Sequence, residues 1–207
     1  MHFPSFFRSA ALGLAGLAAL AFTQAPPAKT LTYALDPAKS KVVWEATKVT
    51  GAHNGTVQLA QGSLVVENGK LSGGSVEVDM RTIVCKDLAG TPGHDRLVGH
   101  LKSEDFFSAE KFPIAKFGIT QVKHKGGNEY EVSGDMSIKG ITKPLSFPAT
   151  VSINGLYISG SAKLKINRTD FDIRYRSGSY FENLGDKLIY DEFTLDLALG
   201  GQQKSKS

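Results

Sequence analysis

Glu129-Tyr130-Glu131-Val132-Ser133-Gly134-Asp135-Met136-Ser137-Ile138 alternates polar and apolar or small residues without a break. In a strand, successive side chains point to opposite faces, so this decapeptide reads as a strand with one wet and one dry face, the mark of antiparallel sheet. The pattern extends in both directions. Val76, Val78 and Met80 oppose Ser75, Glu77 and Asp79. Leu156, Ile158, Gly160, Ala162, Leu164 and Ile166 follow the same rule, as do Phe193, Leu195, Leu197 and Leu199. Further strands are read at Leu31 to Leu35, Lys41 to Val49 with Trp44 inward, Thr56 to Val66, Ala115 to Lys123 and Leu145 to Ile153. Asn-Gly pairs take the positive φ angles of tight hairpins. They predict turns at Gly51-Ala52-His53-Asn54-Gly55, Asn68-Gly69 and Asn154-Gly155.

One segment breaks the strand pattern. Thr91 is placed to cap a helix whose first residue is Pro92, because its hydroxyl can accept an orphan backbone N–H and proline lacks only a donor unneeded there. Leu97, Val98 and Leu101 share a face of this helix, and Phe106, Phe107 and Phe112 follow it. Long hairpin-connected strands that are wet outside and apolar inside must pack as two layers or close to remove their edges. The expectation is an extended antiparallel up-and-down, lipocalin-like β-barrel of about eight strands, wide enough for one small ligand, with one short helix between two strand blocks. Gly134, Ala149, Gly160 and Ala162 on the inner face favour a cavity over a filled core. Gly73-Gly74 suggests a bulge.

At 207 residues the chain suits a single domain. Arg8, the apolar run Ala10 to Phe22 and small-residue patterns at Ala19-Leu20-Ala21 and Thr23 to Ala25 predict a secretory signal peptide over 1–25. The run is shorter than the roughly 20 residues of a spanning helix. The expected division is therefore a leader at 1–25, the domain at 26–200 and a disordered tail at 201–207, with a periplasmic or secreted product and no stable membrane insertion. A net charge of +4 is spread thinly, one lysine or so per strand, which does not make a nucleic-acid footprint. A single cysteine, Cys85, excludes an internal disulfide and reads as a packed thiol. The sequence is compatible with a homodimer.

Motifs spread over the chain carry a resemblance. Trp44 with His53-Asn54-Gly55 comes first, then Gly73-Gly74 before Val78-Asp79-Met80, then His100-Leu101-Lys102-Ser103 with Asp105-Phe106-Phe107. Lys111-Phe112-Pro113 with Phe117 follows, then the run Gly134 to Pro144, and finally Arg168-Thr169-Asp170-Phe171 with Tyr175. In order and spacing the stretch from about Tyr33 to Leu199 resembles the YceI-like family of secreted, lipocalin-like polyisoprenoid-binding proteins. The resemblance implies an elongated barrel holding a long isoprenoid or other lipid as cargo, with no other cofactor. The family pattern has glycine after Asp-Phe where this chain has Asp172.

A lipid chain needs a dry wall and no catalytic groups. Trp44, Met80, Phe117, Met136, Phe147, Leu164 and Phe193 are expected to form that wall, with Phe106 and Phe107 as a lid or end plug; ordinary core shares this composition. His53, His100, Arg168 and Arg174 are the candidates for a polar headgroup or the mouth. An Arg168–Asp170 ion pair is expected, and His100 is expected to tie the helix end to a strand. A metal centre from His53, His94 and His100 with Asp95 and Asp105 is not expected, because His94 and His100, six positions apart, do not stack on one helix face as an i, i+4 pair would. The chain contains no Gly-x-Ser-x-Gly elbow, paired-cysteine motif or phosphate-cradling loop, so it is not expected to be an enzyme. A secreted enzyme working in the barrel mouth and a structural barrel with a filled core are the rival readings.

Overall fold

The computed structural model describes residues 1–2 and 29–205, so the expected leader lies outside the described residues but for its first two. Nine strands follow in chain order: β1 (Thr30–Leu35), β2 (Lys41–Lys48), β3 (Gly51–Glu67), β4 (Lys70–Cys85), β5 (Ile114–Gly126), β6 (Glu129–Ile138), β7 (Ile141–Asn154), β8 (Tyr157–Asn167) and β9 (Ile189–Gln203). Helix α1 (Pro92–Lys102) separates β4 from β5. Each strand from β2 to β9 pairs antiparallel with the next, and β9 pairs back onto β2. The ring is a closed barrel of eight staves.

β1 is not a ninth stave. It is antiparallel to both β3 and β9, as β2 is, and it meets them further along, at Thr30↔Glu67 and Tyr33↔Gln203. β1 and β2 are two halves of one stave, broken where Pro37 opens a 3-10 turn over Pro37–Lys39. Asp36 caps that turn by accepting from the Ala38 N–H at 2.9 Å. Proline cannot donate to a ladder, so the break falls where the sequence forbids continuous pairing.

The hairpins reach the barrel by several chemistries. Asn68-Gly69 is a two-residue loop with φ of 50° and 79°, and Lys139-Gly140 one with 52° and 77°; both are the positive-φ pairs whose twist suits a hairpin. At the β7–β8 hairpin the loop is Gly155-Leu156, one residue later than expected, with Gly155 alone at positive φ. The expected turn at Asn54-Gly55 is not a turn. The chain reverses at Val49-Thr50, and His53, Asn54 and Gly55 are strand residues of β3. Gly55 is needed there because a Cβ would overlap the Val84 carbonyl oxygen and stand 2.7 Å from the Trp44 ring.

Thr91 is the N-cap of α1, but its hydroxyl donates to the Leu88 carbonyl at 2.8 Å and does not cap the helix N–H groups. The bulge near Gly73-Gly74 is present, with Ser72 as the extra residue between Val66↔Leu71 and Val65↔Gly73. A larger offset lies higher in the same pair, where Thr56 faces Val84 but Gln58 faces Asp79. Three extra residues of β4 are accommodated there, held by the Thr82 hydroxyl, which accepts from the Gln58 N–H and donates to the Asp79 carbonyl. The expected disordered tail begins as strand. β9 continues to Gln203, and the Lys204 N–H donates to the Thr32 carbonyl.

Inward residues of all eight staves form one apolar interior. Gly134 does not leave a hole, contrary to its reading as a cavity residue: the Phe117 ring lies over it, 2.6 Å from where a Cβ would stand. Gly134→Ala should therefore cost about 1–3 kcal/mol through overpacking, measurable as a lowered urea midpoint with an unchanged slope. The outer face of β6 carries Glu129, Glu131, Ser133, Asp135 and Ser137, so this barrel is apolar inside and polar outside, the reverse of a transmembrane barrel. Among the described residues, no helix is long and apolar enough to cross a membrane.

Candidate functional site

Strand direction sorts the barrel into two unlike ends. At one, the tight hairpins at 68–69, 127–128 and 155–156 close the staves, and the Tyr33 hydroxyl donates to the Gly155 carbonyl. At the other lie α1 with its following loop, the Lys139-Gly140 hairpin and the long connection from Arg168 to Leu188. β4 overshoots β5 at this end, for their register covers only Gly74↔Ile119 to Asp79↔Ile114. α1 packs on β4, and Leu101, Phe106 and Phe107 turn into the lumen.

The lumen contains a cavity of about 180 Å³ with lining residues from every stave. The seven expected wall residues, Trp44, Met80, Phe117, Met136, Phe147, Leu164 and Phe193, line it, and so do Phe106 and Phe107, the expected lid or end plug. The aromatic members interlock, with Phe117 on Phe147 at 5.2 Å and Phe107 edge-on to Phe193 at 6.4 Å. Ala149 and Ala162 face one another across β7 and β8, and with Gly160 they thin the wall on that side. The exposed surface of the cavity is almost wholly carbon. It is smaller than the several hundred Å³ of a usual drug-sized pocket.

The four expected mouth residues all lie at the α1 end, but they do different things. Arg168 is buried, 4% exposed, and borders the lumen. Its Nε donates to the Tyr190 carbonyl at 3.2 Å. One terminal nitrogen donates to the carbonyls of Ile173 at 2.8 Å and Tyr175 at 2.9 Å, and the other to Ile189 at 3.0 Å and to Asp191 Oδ1 at 3.2 Å. A guanidinium has five N–H donors and all five are used. Arg168 therefore has no donor left for a headgroup, and its ionic partner is Asp191, not the expected Asp170. Burial pushes its pKa down and Asp191 opposes that. The group serves as a pin, stitching the 168–176 turn to the start of β9.

His100 bonds to Asp105 at 2.9 Å, not to a strand, and its ring stands edge-on to Phe106 at 4.9 Å and Tyr175 at 4.5 Å. It thus joins the helix-linked loop to the 168–188 connection. Lys139 does the same from the hairpin, donating to the carbonyls of Glu104 at 2.8 Å and Asp172 at 3.2 Å. Arg174 is exposed, paired with Asp172 at 2.8 Å and lying over the Tyr180 ring. Asp172 itself has φ 57° and ψ 34°, the left-handed conformation that glycine takes freely, so the chain keeps the turn without the glycine.

His53 is held apart from the lumen. It bonds to Asp87 at 2.8 Å, and Asp87 also accepts from the Asn54 N–H at 2.8 Å and the Cys85 thiol at 3.2 Å. Burial pushes the Asp87 carboxyl up, but the hydrogen bonds from Asn54, His53 and Cys85 outweigh it and hold the group down at about 2. Burial and the neighbouring carboxylate push the Cys85 thiol up. His94 and His100 each pair with a separate aspartate, so the histidines and aspartates weighed in the sequence do not converge.

A model of the YceI-like domain matches residues 33–200. The chain belongs to the YceI-like family. Among curated relatives, a UPF0312 protein of Shewanella denitrificans is 36% identical over 88 residues, 42% of this chain and 44% of its own length. A UPF0312 protein of Pseudomonas putida is 30% identical over 116 residues, 56% of this chain and 58% of its own. The chain thus spans about half the length of the curated relatives it matches. Chains of similar fold occur among solved structures. BcnA of Burkholderia cenocepacia is 22% identical with a TM-score of 0.62 over 80% of this chain and 98% of its own. A polyisoprenoid binding domain from Saccharophagus degradans is 14% identical with a TM-score of 0.61 over 84% and 99%. At these identities the likeness is one of fold.

Proposed function

We infer that this YceI-like protein is a non-catalytic carrier or store of a long apolar lipid held in the barrel lumen, a polyisoprenoid, an isoprenoid quinone or a similar chain. The observation that carries this reading is the lumen itself: a cavity walled by carbon from all eight staves, at whose rim the buried Arg168 is fully engaged by the protein. Moving a hydrocarbon chain from water into such a wall gains about 25 cal/mol per Å2 of apolar area. The polyisoprenoid binding domain of Saccharophagus degradans, similar in fold, supports the choice of ligand class. The basic start, apolar run and small-residue cleavage patterns of residues 1–25 support a periplasmic or secreted site of action.

The thiol-containing cluster is not a nucleophilic triad. In a nucleophilic triad the histidine stands between nucleophile and acid. Here the carboxylate of Asp87 stands between Cys85 and His53, and the thiol is held protonated. Mass spectrometry of lipids extracted from protein purified out of its native host tests the function. One long-chain lipid in near-equimolar amount is the expected result, and protein free of lipid that also takes up none from isoprenoid micelles would sink the carrier reading. Incubation of the recovered lipid with the protein should leave it unchanged in mass.

A further inference from the structure

His53, Cys85 and Asp87 form the one group of three mixed nitrogen, sulfur and oxygen donors that the described residues bring together, with their donor atoms all within 4.8 Å of one another. We propose that these three side chains are a binding site for a divalent transition-metal ion of zinc type. The inference is independent of the lipid reading.

The donor set is the first ground. Thiolate, imidazole and carboxylate are the three protein ligands of Zn2+, whereas Mg2+ and Ca2+ take oxygen alone. Geometry is the second. Zinc–ligand bonds of 2.0–2.3 Å in a tetrahedron put neighbouring ligand atoms about 3.3–3.8 Å apart. Cys85 Sγ lies 3.2 Å from Asp87 Oδ1 and His53 Nδ1 lies 2.8 Å from Asp87 Oδ2, so the carboxylate stands between the other two donors and offers an oxygen to each. With all three donor atoms within 4.8 Å of one another, reaching that tetrahedron takes side-chain shifts on the order of 1 Å, and His53 and Asp87 are each about a quarter exposed. Cys85 is the fixed corner, 1% exposed, yet its sulfur faces this polar cluster.

The supporting shell is the third ground. The Asn54 N–H donates to Asp87 Oδ1, the kind of backbone contact that orients a ligating carboxylate. With three protein donors and an approach from the His53–Asp87 side, the fourth position is left to water. Binding exchanges the S–H···O bond for a metal–thiolate bond and releases the thiol proton to solvent; the imidazole proton moves to Nε2, leaving Nδ1 to ligate, and nothing is oxidised or reduced.

Trp44, the only tryptophan, pairs with Gly55, which pairs with Cys85, so it stands in the next row of the sheet as a reporter. The test uses the full chain without an added histidine tag, kept reduced, and Co2+ and Zn2+ as probes. One equivalent of Co2+ should produce a thiolate-to-cobalt charge-transfer band and quench Trp44 emission, and Zn2+ should remove both. Cys85→Ser should abolish the band, and Cys85→Ser and His53→Gln should each weaken Zn2+ at least tenfold while the melting curve without metal stays that of a folded barrel. Cobalt spectra with no thiolate band, or zinc affinity unchanged in both variants, would overturn the site. Metal held only at the half-buried His94 or the exposed His124 gives that second result.

Discussion

Arg168→Met should lower stability by about 3–5 kcal/mol, the cost of breaking a buried charged network from one side. The substitution keeps most of the side chain's bulk and removes all five donors at once. The carbonyls of Ile173, Tyr175, Ile189 and Tyr190 lose those donors, and Asp191 keeps only its bond from the Ser179 hydroxyl. In a domain of this size each kcal/mol moves the melting point by about 2–4 °C, so a fall of roughly 6–20 °C is expected. Arg168→Lys should recover little of it, because an ammonium has three donors on one atom and cannot reach acceptors spread around a planar fork. A methionine variant that melts with the parent would show that the network is not what holds the 168–188 connection. Lipid retention should fall with it only as far as the fold does, since Arg168 offers nothing to a headgroup.

Ala162→Phe should all but empty the lumen while leaving the barrel folded. A cavity of 150 Å³ lined by apolar side chains holds one benzene, and the cavity here is about 180 Å³. One phenyl ring would therefore take most of the free space. Ala162 faces Ala149 across the strand pair, so the ring meets methyl groups and not backbone. Bound lipid should become shorter or disappear, with affinity for a long-chain probe reduced about 10- to 100-fold, equivalent to roughly 1.4–2.8 kcal/mol. Leu164→Lys is the harsher companion, since an unpaired ammonium against hydrocarbon is strongly disfavoured. The phenylalanine variant is the better test because it keeps the wall apolar. Unchanged lipid length and affinity in a folded Ala162→Phe protein would place the cargo elsewhere.

The wall was legible in the sequence for a simple reason. Side-chain direction in a strand has period two, so Met136 and Leu164 could be assigned inward from their neighbours alone. The pairings that build the polar sites depend on register instead, and register is set by turns and bulges. Counting from the Asn68-Gly69 turn places His53 opposite residue 84. The offset between Thr56 and Gln58 shifts it to Asp87, and no residue in Asp79 to Val84 announces that shift. Arg168 and Asp191 extend a register without bulges, one step beyond Asn167↔Glu192. Yet β8 and β9 are joined by a long connection, so no tight turn fixes that register in advance. Asn54-Gly55 misled for a related reason. Its glycine answers a steric demand from Trp44 and Val84, residues that come near only once the sheet exists.

The broken first stave sets an order of events in time. β2 borders β9 from Lys41↔Ala198 to Lys48↔Ile189, and β1 reaches to Gln203, so the seam that closes the ring joins the start of the domain to its end. Contacts so distant along the chain form slowly, because their loop-closure entropy must be met before they return any stability. As the polypeptide is made, Val42 and Trp44 have β3 on one side and nothing on the other until the last strand has been synthesised. The nascent chain must therefore stay open-edged throughout its elongation. The ring becomes a closed barrel only once its final strand has emerged.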